Sequence, residues 1–220
     1  MILRRSFFLL SATWYVLLMP VASATSCFRD LDELRSAVNQ FIGDGCSDSH
    51  NCNNTVAQTY GWPMGSWCVS NVTDMNGLFR YASNFNDDLS SWDVSSVTDM
   101  DHMFSATSSF NQDLSSWDVS SVTDMSYMFY EAIYNQDLSS WNVSSVVNMA
   151  FMFSGTFWFN QDLSAWDVSS VTSMSGMFEK ASLFNGDLSS WDVSSVTNMK
   201  TMFFEARSFN RDCLRGMFLP

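Results

Sequence analysis

The sequence predicts an α/β repeat solenoid of six coils, each with one short parallel strand and one short helix, covered at its N-terminal end by a capping helix. Two observations carry the repeat. The twelve residues "LSSWDVSSVTDM" at 89–100 return unchanged at 114–125, with near copies starting at Leu138, Leu163 and Leu188. Trp67, Trp92, Trp117, Trp141, Trp166 and Trp191 are accordingly spaced by 25, 25, 24, 25 and 25 residues, and self-similarity at a fixed period of this size marks a stacked array. A third observation, a change of period inside each unit, supplies the strand and the helix.

In the unit that begins at Leu114, Trp117 and Val119 alternate as in a strand, which turns Asp118 to the opposite face. Met125, Met128, Phe129 and Ala132 then stand at i, i+3, i+4 and i+7, the apolar stripe of a short helix. Ser121 or Thr123 can cap its start, and Asp124 suits the positive end of the helix dipole. Tyr134 and Asn135 close the return to the next strand. One unit buries too little apolar surface to offset the entropy of ordering its own backbone, so each coil must cover its neighbour.

Three regions follow. Residues 1–24 read as a secretory signal peptide: Arg4 and Arg5, a short apolar run, and Ala22-Ser23-Ala24 as a small-residue cleavage site. Residues 25–66 form an N-terminal cap, with a helix over 28–42 and a disulfide loop behind it. Leu31, Leu34, Val38, Phe41 and Ile42 share the helix's apolar face, Asp30 and Glu33 make a capping pair, and Gly43 and Gly45 end it. Residues 67–220 are the six-coil array. After cleavage no segment reaches the length of a membrane span.

Loss of Arg4 and Arg5 with the leader leaves 8 Lys and Arg against 23 Asp and Glu, a formal charge of −15. So acidic a chain does not suit nucleic acid, which needs a positive surface; it suits cations, basic proteins or mineral surfaces. Export permits disulfides. Cys46 and Cys52 lie close together in a polar loop, and Cys27 flanks a helix that should lie over the coil holding Cys68, so Cys46–Cys52 and Cys27–Cys68 are the expected pairs, with Cys213 left over. Asn53, Asn71 and Asn142 each open an N-x-S/T glycosylation sequon.

The skeleton L-x-x-W-x-V-x-x-V-x-x-M-x-x-M-F, seen whole in "FNQDLSSWDVSSVTDMSYMF" at 110–129, resembles the leucine-rich-repeat consensus L-x-x-L-x-L in the variant of BspA-like surface proteins. It is similar to their repeat family of unknown function, found in surface lipoproteins and in secreted proteins of microbial eukaryotes. The match covers about residues 67–212, and "FRDLDELRSAVNQFI" with "YGWPMGSWCVSNVTDM" resembles that family's N-terminal lead-in. The resemblance implies a right-handed leucine-rich-repeat-like solenoid, secreted or at the cell surface, for adhesion or interaction and with no chemistry of its own. Asn142 and Val147, where Asp and Thr are usual, and Cys68 in place of the strand Asp depart from the pattern.

Three polar columns repeat down the array. Asn86, Asn111, Asn135, Asn160, Asn185 and Asn210 can form a structural asparagine ladder. Asp88, Asp113, Asp137, Asp162, Asp187 and Asp212 precede the strand, where turn N–H groups can relieve them. Asp93, Asp118, Asp167 and Asp192 follow Trp on the outward strand face and are the candidate ligand-binding residues, for Ca²⁺ or a basic partner. Catalysis is not expected. An active site needs unlike groups converging at one point, whereas here the polar residues repeat from coil to coil and His50 and His102 are the two histidines, His102 at a variable, solvated position.

Two functions fit. The first is a non-catalytic interaction or adhesion module that binds an extracellular protein or glycan and has no cofactor. It is favoured by the variable pairs Asn76-Gly77, Asp101-His102, Ser126-Tyr127, Ala150-Phe151, Ser175-Gly176 and Lys200-Thr201, expected on the helix side. The alternative is an acidic matrix, cell-wall or mineral-associated protein that holds Ca²⁺ through its uniform Asp columns.

Overall fold

The computed structural model describes residues 27–48 and 52–210. The leader at 1–24, His50, Asp212 and Cys213 lie outside the described residues. The cap is built on α1, Leu31–Gly43. Asp30 stands at its N-cap, where its carboxylate accepts from the Glu33 N–H at 3.0 Å, and the Glu33 carboxylate accepts from the Arg29 N–H at 2.9 Å. The helix buries Leu34, Ala37, Val38 and Phe41. Phe41 meets the first array tryptophan, Trp67, edge-on at 5.3 Å, while Phe28 packs on the same indole at 5.4 Å. A short α2, Thr55–Tyr60, is capped by Asn54, which accepts from the Ala57 N–H at 2.8 Å. Two disulfides tie the cap down: Cys27 to Cys68 in the first coil, and Cys46 to Cys52 within the loop.

The α/β leucine-rich-repeat-like solenoid does not form. Among the described residues the array has neither a strand nor a helix; every regular helical element lies before Trp67. Instead of a parallel sheet through the Trp-x-Val segments, neighbouring coils share one isolated parallel bridge each, at the expected helix start, in the series Asp74, Asp99, Asp124, Asn148, Ser173, Asn198. Where a helix was expected, the chain runs as linked turns.

The backbone hydrogen bonds explain both corrections. In a helix every N–H points back along its own chain. Here Met75, Gly77, Phe79 and Tyr81 instead donate sideways, to the carbonyls of Asp99, Asp101, Met103 and Ser105 in the next coil, at 2.8–2.9 Å. The intervening Leu78, Arg80 and Ala82 donate three residues back, to Met75, Gly77 and Phe79. The pattern repeats from coil to coil, and it satisfies backbone groups that burial would otherwise strand. Spacing of i, i+3, i+4 and i+7 is met equally well by such a turn run, which points Met, Met, Phe and Ala inward without a helical axis.

The interior is a set of identical columns. Leu, Trp, both valines, both methionines and the phenylalanines of the middle coils are all buried. Phe79, Phe104, Phe129, Phe153, Phe178 and Phe203 stack with nearly parallel rings 5.4–5.8 Å apart. Each also packs on the second aromatic of its own coil, as Phe104 does on Phe110 at 4.1 Å.

Register is held by tryptophan. The Leu89 carbonyl accepts the Trp92 N–H of its own coil at 3.0 Å and the Trp117 indole N–H of the next coil, also at 3.0 Å. The same double bond to one carbonyl recurs at Leu114 with Trp141, Leu138 with Trp166 and Leu163 with Trp191, at 2.9–3.0 Å for the indoles.

Trp117→Phe removes one such bond and part of a buried ring, and is expected to cost about 2–3 kcal/mol by chemical denaturation. A variant within experimental error of the parent would show that the indole bond does not hold the register. Tyr134 has the opposite defect. It fills a column position that is phenylalanine in the other coils, and its buried hydroxyl makes no hydrogen bond of ordinary geometry; burial pushes that hydroxyl well above the ordinary phenol range, and the Leu114 backbone offsets this only in part. Tyr134→Phe should therefore raise stability by about 1 kcal/mol, read as a higher denaturation midpoint.

Candidate functional site

The turn run brings the variable positions to the corners of the coils. Gly77, His102, Tyr127, Phe151, Gly176 and Thr201 share one column, and Tyr81, Ala106, Glu131, Gly155, Lys180 and Glu205 share another. All twelve have φ between 53 and 71°, in the left-handed region. That conformation costs a non-glycine residue free energy, and at ten of the twelve, all but Thr201 and Glu205 of the last described coil, a sideways N–H bond accompanies it: His102 donates to Ser126 O at 3.0 Å, Tyr127 to Ala150 O at 2.9 Å and Phe151 to Ser175 O at 2.8 Å.

On this corner three unlike aromatics stack. The His102 ring lies on Tyr127 at 4.5 Å, and Tyr127 lies on Phe151 at 4.9 Å. Phe151 in turn covers Gly176, where a Cβ would fall 2.2 Å from its ring. His102 is thus not the solvated surface residue expected. It is half-buried, and its Nδ1 donates to Asp101 Oδ1 at 2.5 Å. Asp101 also accepts from Asn76 Nδ2 and Ser126 Oγ, each at 3.0 Å, so one carboxylate ties three successive coils.

The columns singled out from the sequence lie elsewhere. Asp93, Asp118, Asp167 and Asp192 are exposed, and each accepts the N–H of the serine two residues on, at 3.0–3.2 Å. The Ser120 hydroxyl and N–H hold the Asp118 carboxyl below its ordinary range, the Ser169 pair does so for Asp167, and the Ser194 N–H and hydroxyl for Asp192. Such groups stabilise the fold above their ordinary pKa and stop doing so as pH falls through the depressed value. Asn142 makes the same turn in the third such unit, with Ser144. Asp88, Asp113, Asp137, Asp162 and Asp187 accept from their own serines at 2.8–3.0 Å.

Each ladder asparagine accepts the backbone N–H of the next one, from Asn86 with Asn111 to Asn185 with Asn210, at 2.8–3.2 Å. Asn53, Asn71 and Asn142 are exposed. Among the described residues no three His, Cys, Asp or Glu side chains converge to hold a metal ion.

Sequence reasoning missed a third acidic series, the bridge residues Asp74, Asp99 and Asp124, because it placed Asp124 on a helix end. They are half-buried and follow one another in register. Asp99 is raised above the ordinary carboxylate range, first by burial, against the N–H bond from Asp101, and then by the charges of Asp74, Asp124 and Asp101.

A family model described as "Mycoplasma protein of unknown function, DUF285" matches residues 50–157 and, again, 132–215. No curated protein and no solved structure matches the chain. No helix among the described residues is long and apolar enough to cross a membrane.

The raised Asp99 gives a pH-dependent test. Its charge is unfavourable in the folded state at neutral pH, and the penalty disappears as pH falls through the raised value and the group protonates. Asn148, at the same position, accepts from the Ala150 N–H and donates to Asp124 at 3.1 Å, so an amide fits. Asp99→Asn should stabilise at neutral pH by under about 1 kcal/mol, since the side chain is only partly shielded from solvent. The gain should shrink toward about pH 4. Thermal melts across that range that showed a loss at neutral pH, or a gain unchanged in acid, would contradict the assignment.

Proposed function

We propose that this chain, which belongs to the family described as Mycoplasma protein of unknown function, DUF285, is a non-catalytic interaction module that works outside the cell or at its surface. One observation carries the reading. The constant residues of each repeat are consumed by the scaffold, inward as columns or sideways as turn bonds, while the variable residues stand on corners whose backbone bonds are indifferent to side-chain identity. Such a scaffold can change its surface coil by coil without changing its fold, as a recognition surface must.

The setting has separate support. Two disulfides suit an oxidising compartment, the leader reads as a signal peptide, and the repeat resembles that of BspA-like surface proteins. The formal charge of −13 favours a partner that carries cationic groups at the contact and disfavours nucleic acid. His102, Tyr127 and Phe151, half-buried in one stack, offer such a partner an aromatic contact because they are unlike and adjacent. None of them is offered as a catalytic residue.

The reading is tested with a variant in which His102, Tyr127 and Phe151 are all glycine. Gly77 and Gly176 already occupy the same column, and glycine accepts the left-handed backbone without strain. The labelled parent should bind extracellular matrix preparations saturably, more tightly at low salt, and the variant should lose at least tenfold in affinity while keeping its melting temperature within a few degrees. Equal binding by parent and variant, or no saturable binding by either, would overturn the proposal.

A further inference from the structure

A second surface carries a more specific assignment, in a column of the repeat separate from the aromatic corner. Three of the six coils place a small or polar residue just before the second inward aromatic, at Asn84, Ser109 and Ser208. Three successive coils do not. Ile133, Trp158 and Leu183 occupy that position, with Phe157 beside Trp158, and all four are exposed, Trp158 by 56% and Phe157 by 46%. The two rings meet edge-to-face at 5.0 Å, and the Leu183 N–H bonds the Phe157 carbonyl, which fixes the stripe across the coils.

The asparagine ladder runs alongside. Trp158 faces outward, Phe159 faces inward and Asn160 is again outward, so the tryptophan and the amide lie two residues apart on the same side, with Cα atoms no more than about 7 Å apart. The Asn160 Oδ1 is occupied by the Asn185 N–H at 2.8 Å, and Asn160 is exposed, so its Nδ2 is the donor it can offer a ligand. One coil also lacks a side chain that its neighbours have. Gln112 and Gln161 reach back to the carbonyls of Asn86 and Asn135, at 3.0 and 2.9 Å. Gly186 stands at the same repeat position and cannot reach Asn160. Gly186 lets the chain pass close to the Phe184 ring and the Gln161 carbonyl, where a Cβ would fall 2.9 and 3.4 Å away, and beside it lies a groove of about 370 Å³ bordered by Asn160, Gln161, Asp162, Asn185 and Asp187, joined to the Trp158 stripe through Asn160.

We infer that this groove and the Trp158 stripe bind an extended neutral polysaccharide chain. The chemistry is specific to that class. An exposed indole face beside amides and carboxylates matches a sugar ring, whose C–H face packs on the aromatic while its hydroxyls donate to carboxylates and accept from amide N–H groups. The groove is polar and has no deep apolar hole for a protein's anchoring side chain. The net negative charge of the chain disfavours uronic-acid or sulfated polymers. Because the apolar stripe spans three coils, affinity grows with chain length. The inference rests on the non-catalytic binding reading but uses residues that the aromatic corner does not.

The test is titration of the full chain, by tryptophan fluorescence and calorimetry, with cellotetraose, chitotetraose, laminaritetraose and mannotetraose, and with polygalacturonate as the charged control. At least one neutral tetrasaccharide should bind with a Kd in the millimolar range or tighter, more tightly than its disaccharide, while polygalacturonate does not bind. Trp158→Ala should weaken that binding tenfold or more, and Trp158→Tyr, which keeps an aromatic face, should stay within about threefold of the parent. Asn160→Asp keeps the acceptor for the Asn185 N–H but removes the Nδ2 donor, and should weaken binding about fivefold with the melting temperature unchanged. The triple glycine variant of the aromatic corner should bind the saccharide as the parent does. Absence of binding by all four tetrasaccharides, or parent-like binding by both Trp158→Ala and Asn160→Asp, would overturn the assignment and leave the corner reading standing. Loss of saccharide binding in the triple glycine variant would move the site to the corner and equally overturn it.

Discussion

The leucine carbonyl that accepts two N–H groups is the contact on which the stack depends. One bond closes the L-x-x-W turn inside a coil; the other comes from the next coil's indole. A carbonyl oxygen has two acceptor sites, and both are used. The donor must therefore be a side chain long enough to cross between coils and large enough to fill the interior on the way. Tryptophan alone combines those properties with a single N–H that requires a partner when buried. The strictness of L-x-x-W down the sequence is then a statement about register. Coil three tolerates its missing residue for the same reason. The indole of Trp141 reaches Leu114 across 27 residues where its neighbours span 28, and the deletion falls in the return before Asn135, away from the shared carbonyl.

With register fixed, the rest of the backbone pairs sideways. Alternate residues of the turn run donate to the next coil, which requires the left-handed region at two positions per coil, nine times with residues other than glycine. Each such residue costs up to about 1–2 kcal/mol. The sideways bonds formed at seven of those nine residues, and the buried columns they align, offset that cost in the stack. A lone coil would have the strain without the partners, which ties cooperativity to the number of coils.

The inward positions were legible in the sequence, because a buried column needs only the right side chain at the right interval. Trp, Val, Val, Met, Met, Phe and Ala are each identifiable from repetition alone. The backbone conformation was not legible, since Met125, Met128, Phe129 and Ala132 satisfy a helical stripe and a run of turns alike. Two signals could have decided between them. Gly77 and Gly176 share one repeat position in the middle of the supposed helix, where glycine is costly but a positive φ is natural. Asp118 and Ser120, two residues apart, form the side-chain-to-backbone pair of an Asx turn, as do Asp113 and Ser115. Tryptophan in place of the second leucine of L-x-x-L-x-L was itself the sign that the coil is held differently from a leucine-rich repeat. The bridge acids and the aromatic corner went unseen because their neighbourhood exists only once the turns are in place.

Because each coil meets only its neighbours, surface properties drift along the stack while the interior stays constant. The bridge series begins with Asp74, Asp99 and Asp124 and continues with Asn148, Ser173 and Asn198. Charge that burial makes unfavourable at Asp99 is absent from the later coils. Exposed apolar bulk changes in the other direction, with Ile133, Trp158 and Leu183 where earlier coils have Asn84 and Ser109. The aromatic corner of His102, Tyr127 and Phe151 spans the change. A uniform scaffold thus carries half-buried bridge carboxylates in its early coils and an exposed apolar stripe beside a polar groove in its later ones. That division needs no domain boundary, because nothing in the shared-carbonyl contact depends on what the corners or the returns present to solvent.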